Sequence, residues 1–206
     1  MHYSSHRIYL ASRSPRRREL LHQIGVPFDT LLFRAPPRED EDVCEDVLPG
    51  EAVEAYVVRV ARAKAQGGVE RVAARRLQRQ PVLSADTTLE LDGTIIGKPE
   101  SPAHAEDILS RLSGRDHQVL TAVALAHQDR VEHRLNQSVV HFRALSHTEI
   151  KRYVAGGEPM DKAGAYGIQG FAATFIADIK GSYTGIMGLP LFETAELLRH
   201  FKLLDD

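Results

Sequence analysis

Cys44 is the single cysteine among 206 residues. That excludes an intramolecular disulfide and any multi-cysteine zinc site, and it fits a reducing compartment. Excess charge of either sign is also missing, since 26 Lys and Arg face 28 Asp and Glu for a net charge of −2. Such balance gives no broad positive field for a nucleic-acid polymer, so any anion site must be a local concentration of basic groups serving a small molecule. No apolar run approaches the roughly 18 residues of a membrane span, and Met1 to Arg7 lack the apolar core of a secretory signal. The expected location is the cytoplasm, with no membrane partner.

Familiar catalytic signatures are absent as well. The ten histidines are scattered, and none stands in His-Glu-x-x-His spacing. Gly97-Lys98-Pro99 lacks the spacing and the Ser/Thr of a Walker loop, and Gly164-Ala165-Tyr166-Gly167-Ile168-Gln169-Gly170 is not a dinucleotide fingerprint. There is no Gly-x-Ser-x-Gly elbow and no Cys/His pairing suited to acyl transfer. No internal repeat, low-complexity tract or composition shift marks a domain boundary. With 43% hydrophobic residues, the chain suits one α/β domain or two small lobes sharing a core.

The pattern opens strand–helix–strand. Residues 8–11 read as a buried strand, Ser14 as an N-cap with Pro15 at the first helical position and Gly25 as the stop, and residues 28–33 as a second strand. Residues 35–50 read as an exposed acidic loop, and 51–66 as a helix interrupted by Gly67-Gly68, with further basic helical turns over 69–80. A short strand over 81–85 delivers Asp86 at its end, and Asp92-Gly93 is a strong hairpin signal. Ser101-Pro102 starts a helix that reaches Ser113-Gly114, and residues 117–127 and 131–142 alternate as antiparallel strands. Ser146 to Glu149 form a capping box for a helix ending at Gly156-Gly157, after which 171–179 reads as a strand and 189–201 as a closing helix.

Four arginines, Arg13, Arg16, Arg17 and Arg18, stand where the first helix begins, at the positive end of its dipole. A bound anion removes that conflict, because free backbone N–H groups and guanidinium forks both favour phosphate. A solvated basic surface is the alternative. Asp86, with Thr87 beside it and Lys98 across the hairpin, can orient and deprotonate water or hold a divalent metal, while Lys98 neutralises phosphate charge. An aspartate capping a turn and a lysine in solvent remain open on the residues alone. Glu41, Asp42 and Glu45 offer further carboxylates for magnesium. The irregular stretch 156–170 is long enough to suggest function, with Tyr166 offering an aromatic face and Gln169 a donor and acceptor for a base edge; a structural loop packed by Met160 and Tyr166 is the alternative.

Taken in order, these segments resemble the Maf family of nucleoside triphosphate pyrophosphatases. The resemblance rests on Ala11 to Arg17, which match an Ala-Ser-x-Ser-Pro-Arg-Arg motif, and on Arg62-Ala63-Lys64-Ala65, Ser84-Ala85-Asp86-Thr87, Gly97-Lys98-Pro99, Ser113-Gly114 and Gly188-Leu189-Pro190-Leu191. It covers Arg7 to Phe201, within a single expected domain over residues 7–202. It implies a mixed, twisted α/β sheet flanked by helices, in two lobes with an active-site cleft between them. The implied activity is cleavage of the α–β phosphoanhydride of a nucleoside triphosphate, giving the monophosphate and pyrophosphate with Mg²⁺ or Mn²⁺. Asp86 becomes the proton acceptor, Arg16, Arg17, Lys64 and Lys98 hold the triphosphate, and Ser12 and Ser14 add donors. The stretch from Asp161 to Gly170 resembles the dTTP- and UTP-preferring subgroup, with Arg16, Thr87 and Gln169 as specificity positions. Arg13 fills a slot that is often small in relatives, and Cys44 stands where Asp-Glu is common, leaving Glu45 beside Asp86 as the metal-side carboxylate. The resemblance also suggests a homodimer. A nucleotide-binding regulator of cell division and a pyrophosphatase for modified purines such as 7-methyl-GTP are the competing readings.

Overall fold

The computed structural model describes residues 6–32 and 43–204. Along the chain run β1 (Ile8–Leu10), α1 (Pro15–Gln23), β2 (Phe28–Thr30), α2 (Val53–Ala74), β3 (Val82–Leu91), β4 (Thr94–Ile96) and α3 (Pro102–Leu112). There follow β5 (Asp116–His127), β6 (Arg130–Phe142), α4 (His147–Ala155), β7 (Ile176–Lys180), α5 (Tyr183–Met187) and α6 (Leu191–His200). The strands form one seven-stranded sheet in the order β2-β1-β3-β5-β6-β7, with β4 added to β3. β2, β1 and β3 are parallel, which requires helical crossovers, whereas β3, β5, β6 and β7 form an antiparallel ladder. The sheet is therefore mixed and flanked by helices, as expected.

Local signals account for most helix starts. The Ser14 and Ser101 side chains accept from Arg17 N and His104 N, and Ser146 and Glu149 close a reciprocal capping box. Packing accounts for the arrangement of the layers. Leu83 and Ala85 of β3, with Val123 and Leu125 of β5, lie under α1 and α6. Leu89 and Leu91, with Val119, lie under α3 and α4 on the same face, because strand side chains alternate with a period of two. Thr87 and Thr121 are register partners between these two apolar clusters. The opposite face of β5 presents Leu120, Ala122, Ala124 and Ala126 to α2.

Several expected boundaries are corrected. α2 is one helix of 22 residues that runs through Gly67-Gly68. A Cβ on Gly68 would lie 2.5 Å from Val82 Cγ1, so this glycine lets the helix approach β3 rather than breaking it. β3 continues to Leu91, which puts Asp86 in mid-strand. β2 ends at Thr30, and β7 begins only at Ile176 because Phe171–Phe175 form a 3₁₀ turn. The short helix α5 has no counterpart in the sequence reading. Residues 33–42, including Glu41 and Asp42, lie outside the described residues.

Candidate active site

β1 pairs with β3 only as far as Leu83, and β4 pairs with it only from Leu89 onward. Between them, residues 84–88 have β5 on one side and no strand on the other among the described residues. At this open edge lies a cleft of about 640 Å³. Ser12, Ser14, Arg16, Arg17, Glu45, Lys64, Asp86, Thr87, Lys98 and Gln169 all line it, whereas Arg18 does not. An open edge lets one strand serve the cleft from both faces of the sheet.

On the α2 face, Lys64 Nζ lies 2.8 Å from Asp86 Oδ1 and 2.8 Å from Glu45 Oε1. The register of α2 on β3 is held near this point by Ser84 Oγ, which donates to the Ala61 carbonyl at 2.7 Å. Asp86 is 7% exposed, and no other donor among the described residues bonds to its carboxylate. Tyr56 Oη donates to the Glu45 carbonyl at 3.0 Å. Burial and the Asp86 and Glu45 charges push the Tyr56 phenol up to about 12, so it remains a donor at neutral pH.

Glu45 and Asp86 also test the fit of a divalent ion. They are hard oxygen ligands already gathered around one cation, the Lys64 ammonium, and among the described residues no third acidic or imidazole side chain completes a metal cluster. Two carboxylates suit magnesium or manganese, which take remaining ligands from water and phosphate, and do not make an all-protein cage. The residues present therefore fit the ion.

On the α1 face, Ser14 N donates to Ser12 Oγ at 3.2 Å, and the helix N-terminus opens toward the cleft. Arg17 donates from Nε to the Gly188 carbonyl at 2.7 Å, from Nη2 to Thr87 Oγ1 at 3.2 Å and from Nη1 to Ser12 Oγ at 3.4 Å. Among the described residues these bonds engage three of its five N–H donors. Burial pulls the guanidinium below its ordinary value, opposed by Asp86, but an arginine so far above neutrality stays charged. Arg16 differs, its one ion pair among the described residues being a 4.0 Å approach to the exposed Asp161. Thr121 Oγ1 lies 2.9 Å from Thr87 Oγ1 and 2.8 Å from the Gly185 carbonyl, so both faces of this threonine pair are already supported by protein.

The far wall carries Lys98 and Gln169. Both are exposed, with no hydrogen-bond partner among the described residues. Their segments are joined by Gly164 N, which donates to the Gly97 carbonyl at 3.0 Å. A side chain at Gly164 would meet Leu89 Cδ1 at 2.3 Å, and its φ of +71° further favours glycine. Tyr166 lines the cleft but turns most of its surface to the core. It is buried, packs edge-on against Phe142, and bonds through its hydroxyl to His117 Nε2 at 2.8 Å. Burial lowers the His117 pKa to about 4. Sequence reasoning missed His117, Thr121, Arg59 and the Gly188 carbonyl; the first two are polar residues in otherwise apolar strand positions, the available signal.

The family model described as Maf-like protein matches residues 7–201. The chain belongs to the Maf-like protein family. Among relatives, a dTTP/UTP pyrophosphatase of Aromatoleum aromaticum is 62% identical over 95% of both chains. One of Dechloromonas aromatica is 58% identical over 94% of this chain and 96% of its own, and one of Nitrosomonas europaea 53% identical over 93% and 92%. No helix among the described residues is long and apolar enough to cross a membrane. In this Maf-like chain the family's span thus contains the whole cleft.

Proposed function

We propose that this chain hydrolyses UTP and dTTP at the α–β phosphoanhydride, releasing the nucleoside monophosphate and pyrophosphate, and that it does so in the cytoplasm. The observation that carries the reading is the Lys64 ammonium held between Glu45 and Asp86, in one cleft with the arginine-bearing N-terminus of α1. The full-length likeness to chains named dTTP/UTP pyrophosphatase supports the substrate pair.

The α1 N-terminus, Ser12, Ser14, Arg16 and the N–H groups of Arg17 that no described residue engages bind phosphate oxygens, with Lys98 on the opposite wall. Lys64 adds positive charge beside Asp86, stabilising negative charge as it develops on the phosphates. Asp86 takes the proton of a water in line with the α-phosphorus, and pyrophosphate leaves. Glu45 and Asp86 would hold Mg²⁺ or Mn²⁺, which when bound supplies further neutralising charge to the triphosphate. Beyond Thr87, the apolar Leu89, Val119 and Ile168 line the part of the cleft suited to a base, with Gln169 and Thr87 as its polar readers. A homodimer is compatible with this site but not needed to complete it, since every residue named belongs to one chain.

The test is a panel of dTTP, UTP, CTP and 7-methyl-GTP with product analysis. Monophosphate and pyrophosphate from UTP and dTTP are expected. Stepwise release of inorganic phosphate, binding without turnover, or preference for 7-methyl-GTP would each overturn the reading.

A further inference from the structure

Glu45 projects from an irregular segment with no regular element to hold it. We propose that Arg59 is a positioning residue that sets Glu45 in the site by clasping the backbone on both sides of it. This rests on the pyrophosphatase reading above and assigns a role to a residue that does not line the cleft.

Arg59 lies on α2, five positions before Lys64. Its Nη1 donates to the Cys44 carbonyl at 3.2 Å and its Nη2 to the Asp46 carbonyl at 2.8 Å, the residues directly flanking Glu45. The same guanidinium is fixed by a two-pronged pair with Glu51, Nε to Oε1 at 2.6 Å and Nη2 to Oε2 at 2.8 Å. Glu51 also accepts from Leu48 N at 3.1 Å, which closes the far end of the segment. The Glu45 carbonyl is taken by Tyr56 Oη, so three successive carbonyls, 44 to 46, are bonded to two side chains of α2.

The chemistry explains why the residue is arginine. A planar fork can serve a carboxylate and two carbonyls at once, whereas a lysine ammonium presents its donors from one point. The helix that carries Lys64 therefore also carries the groups that aim Glu45 at it. The clasp makes Glu45 a fixed partner for Lys64, or for a metal ion, without the entropy loss of ordering a loose segment at each binding event.

Arg59→Met and Arg59→Lys, each made in the native chain and in Glu45→Ala, test the proposal. Two readouts are Mn²⁺ dependence of UTP hydrolysis and Mn²⁺ binding, by electron paramagnetic resonance, in the presence of a non-hydrolysable α,β-methylene UTP analogue. In the native background both Arg59 variants are expected to raise the half-saturating Mn²⁺ concentration roughly 10- to 100-fold, the range for loss of an outer-shell partner. In Glu45→Ala the same changes are expected to shift neither readout further. Tyr56→Phe, which removes one hydroxyl, gives a smaller shift in the same direction and serves if the Arg59 variants do not fold. Unchanged Mn²⁺ binding, or equal shifts in both backgrounds, would overturn the positioning role. Failure of the unaltered chain to release pyrophosphate from UTP overturns the substrate reading instead.

Discussion

Asp86 and Thr87 are consecutive in β3, yet their side chains stand on opposite faces of the sheet, the carboxylate against Lys64 of α2 and the hydroxyl against Arg17 of α1. Two helices that never share a face of the sheet therefore meet at one peptide unit. The open edge over residues 84–88 makes both accessible from a single cleft.

Asp86→Asn keeps the shape and removes the base. Turnover of UTP is expected to fall by about 10²- to 10⁴-fold, the usual worth of a general base. Melting should stay near that of the unaltered chain, because Lys64 retains Glu45 as a partner. Pyrophosphate release and thermal unfolding measured together check this, and near-normal release would remove Asp86 from the chemistry.

Arg16 and Arg17 are expected to behave differently despite their adjacency. Arg17→Met strands the Gly188 carbonyl and takes one donor from each of Ser12 and Thr87, which keep Ser14 N and Thr121 as partners, a loss of roughly 1–3 kcal/mol of stability in addition to any effect on catalysis. Arg16→Met breaks only a 4.0 Å approach to an exposed carboxylate, so stability should hold while KM for UTP rises. Denaturant titration and steady-state kinetics distinguish the two; equal destabilisation would contradict the assignment.

Stability should depend on pH through His117. Burial lowers its pKa to about 4, while the unfolded side chain titrates near 6.5. Between those values the unfolded chain binds more protons, so stability rises with pH there; it is lost as the pH drops from about 6.5 toward about 4. For this group the loss is roughly 3 kcal/mol. His117→Gln, which does not titrate, should lack that share of the slope. Melting curves across the window provide the comparison, and identical slopes would show that His117 does not carry the effect.

Gly68→Ala has opposite expected signs under two accounts of the glycine pair. Helix propensity alone favours alanine by about 1 kcal/mol. The contact with Val82 Cγ1 instead implies a net destabilisation of about 1–3 kcal/mol from overpacking. Val82→Ala, which clears the space, should recover part of the loss in the double variant. A more stable Gly68→Ala single variant would mean the helix and β3 are not in close contact.

What the sequence revealed was local chemistry. Ser14, Ser101 and the Ser146–Glu149 box act within a single helical turn, and Asp92-Gly93 acts within a single hairpin, so their consequences can be read from neighbouring residues. Gly68 looks like a helix breaker until Val82 is placed against it. Asp86 looks like a strand end because the pattern shows the polar residues but not how early β1 stops. Arg17 was legible as a cation in the right segment, whereas its bond to Gly188 spans 171 residues of sequence and that to Thr87 spans 70. Tyr166 likewise joins the core because β5 and β6 bring His117 and Phe142 against it.

The open edge of β3 has a further consequence for solubility. Pro81 and Leu83 turn their carbonyls to β1, and by alternation Ala85 and Thr87 turn their backbone groups into the gap, where no strand follows among the described residues. Such a row is a template on which a foreign strand can dock and begin an aggregate. Here the gap is recessed within a cleft whose described lining carries six Lys and Arg side chains against Glu45, Asp86 and Asp161. A like-charged copy of the same edge meets repulsion there, so the groups that attract a polyanionic nucleotide also discourage the protein from polymerising with itself.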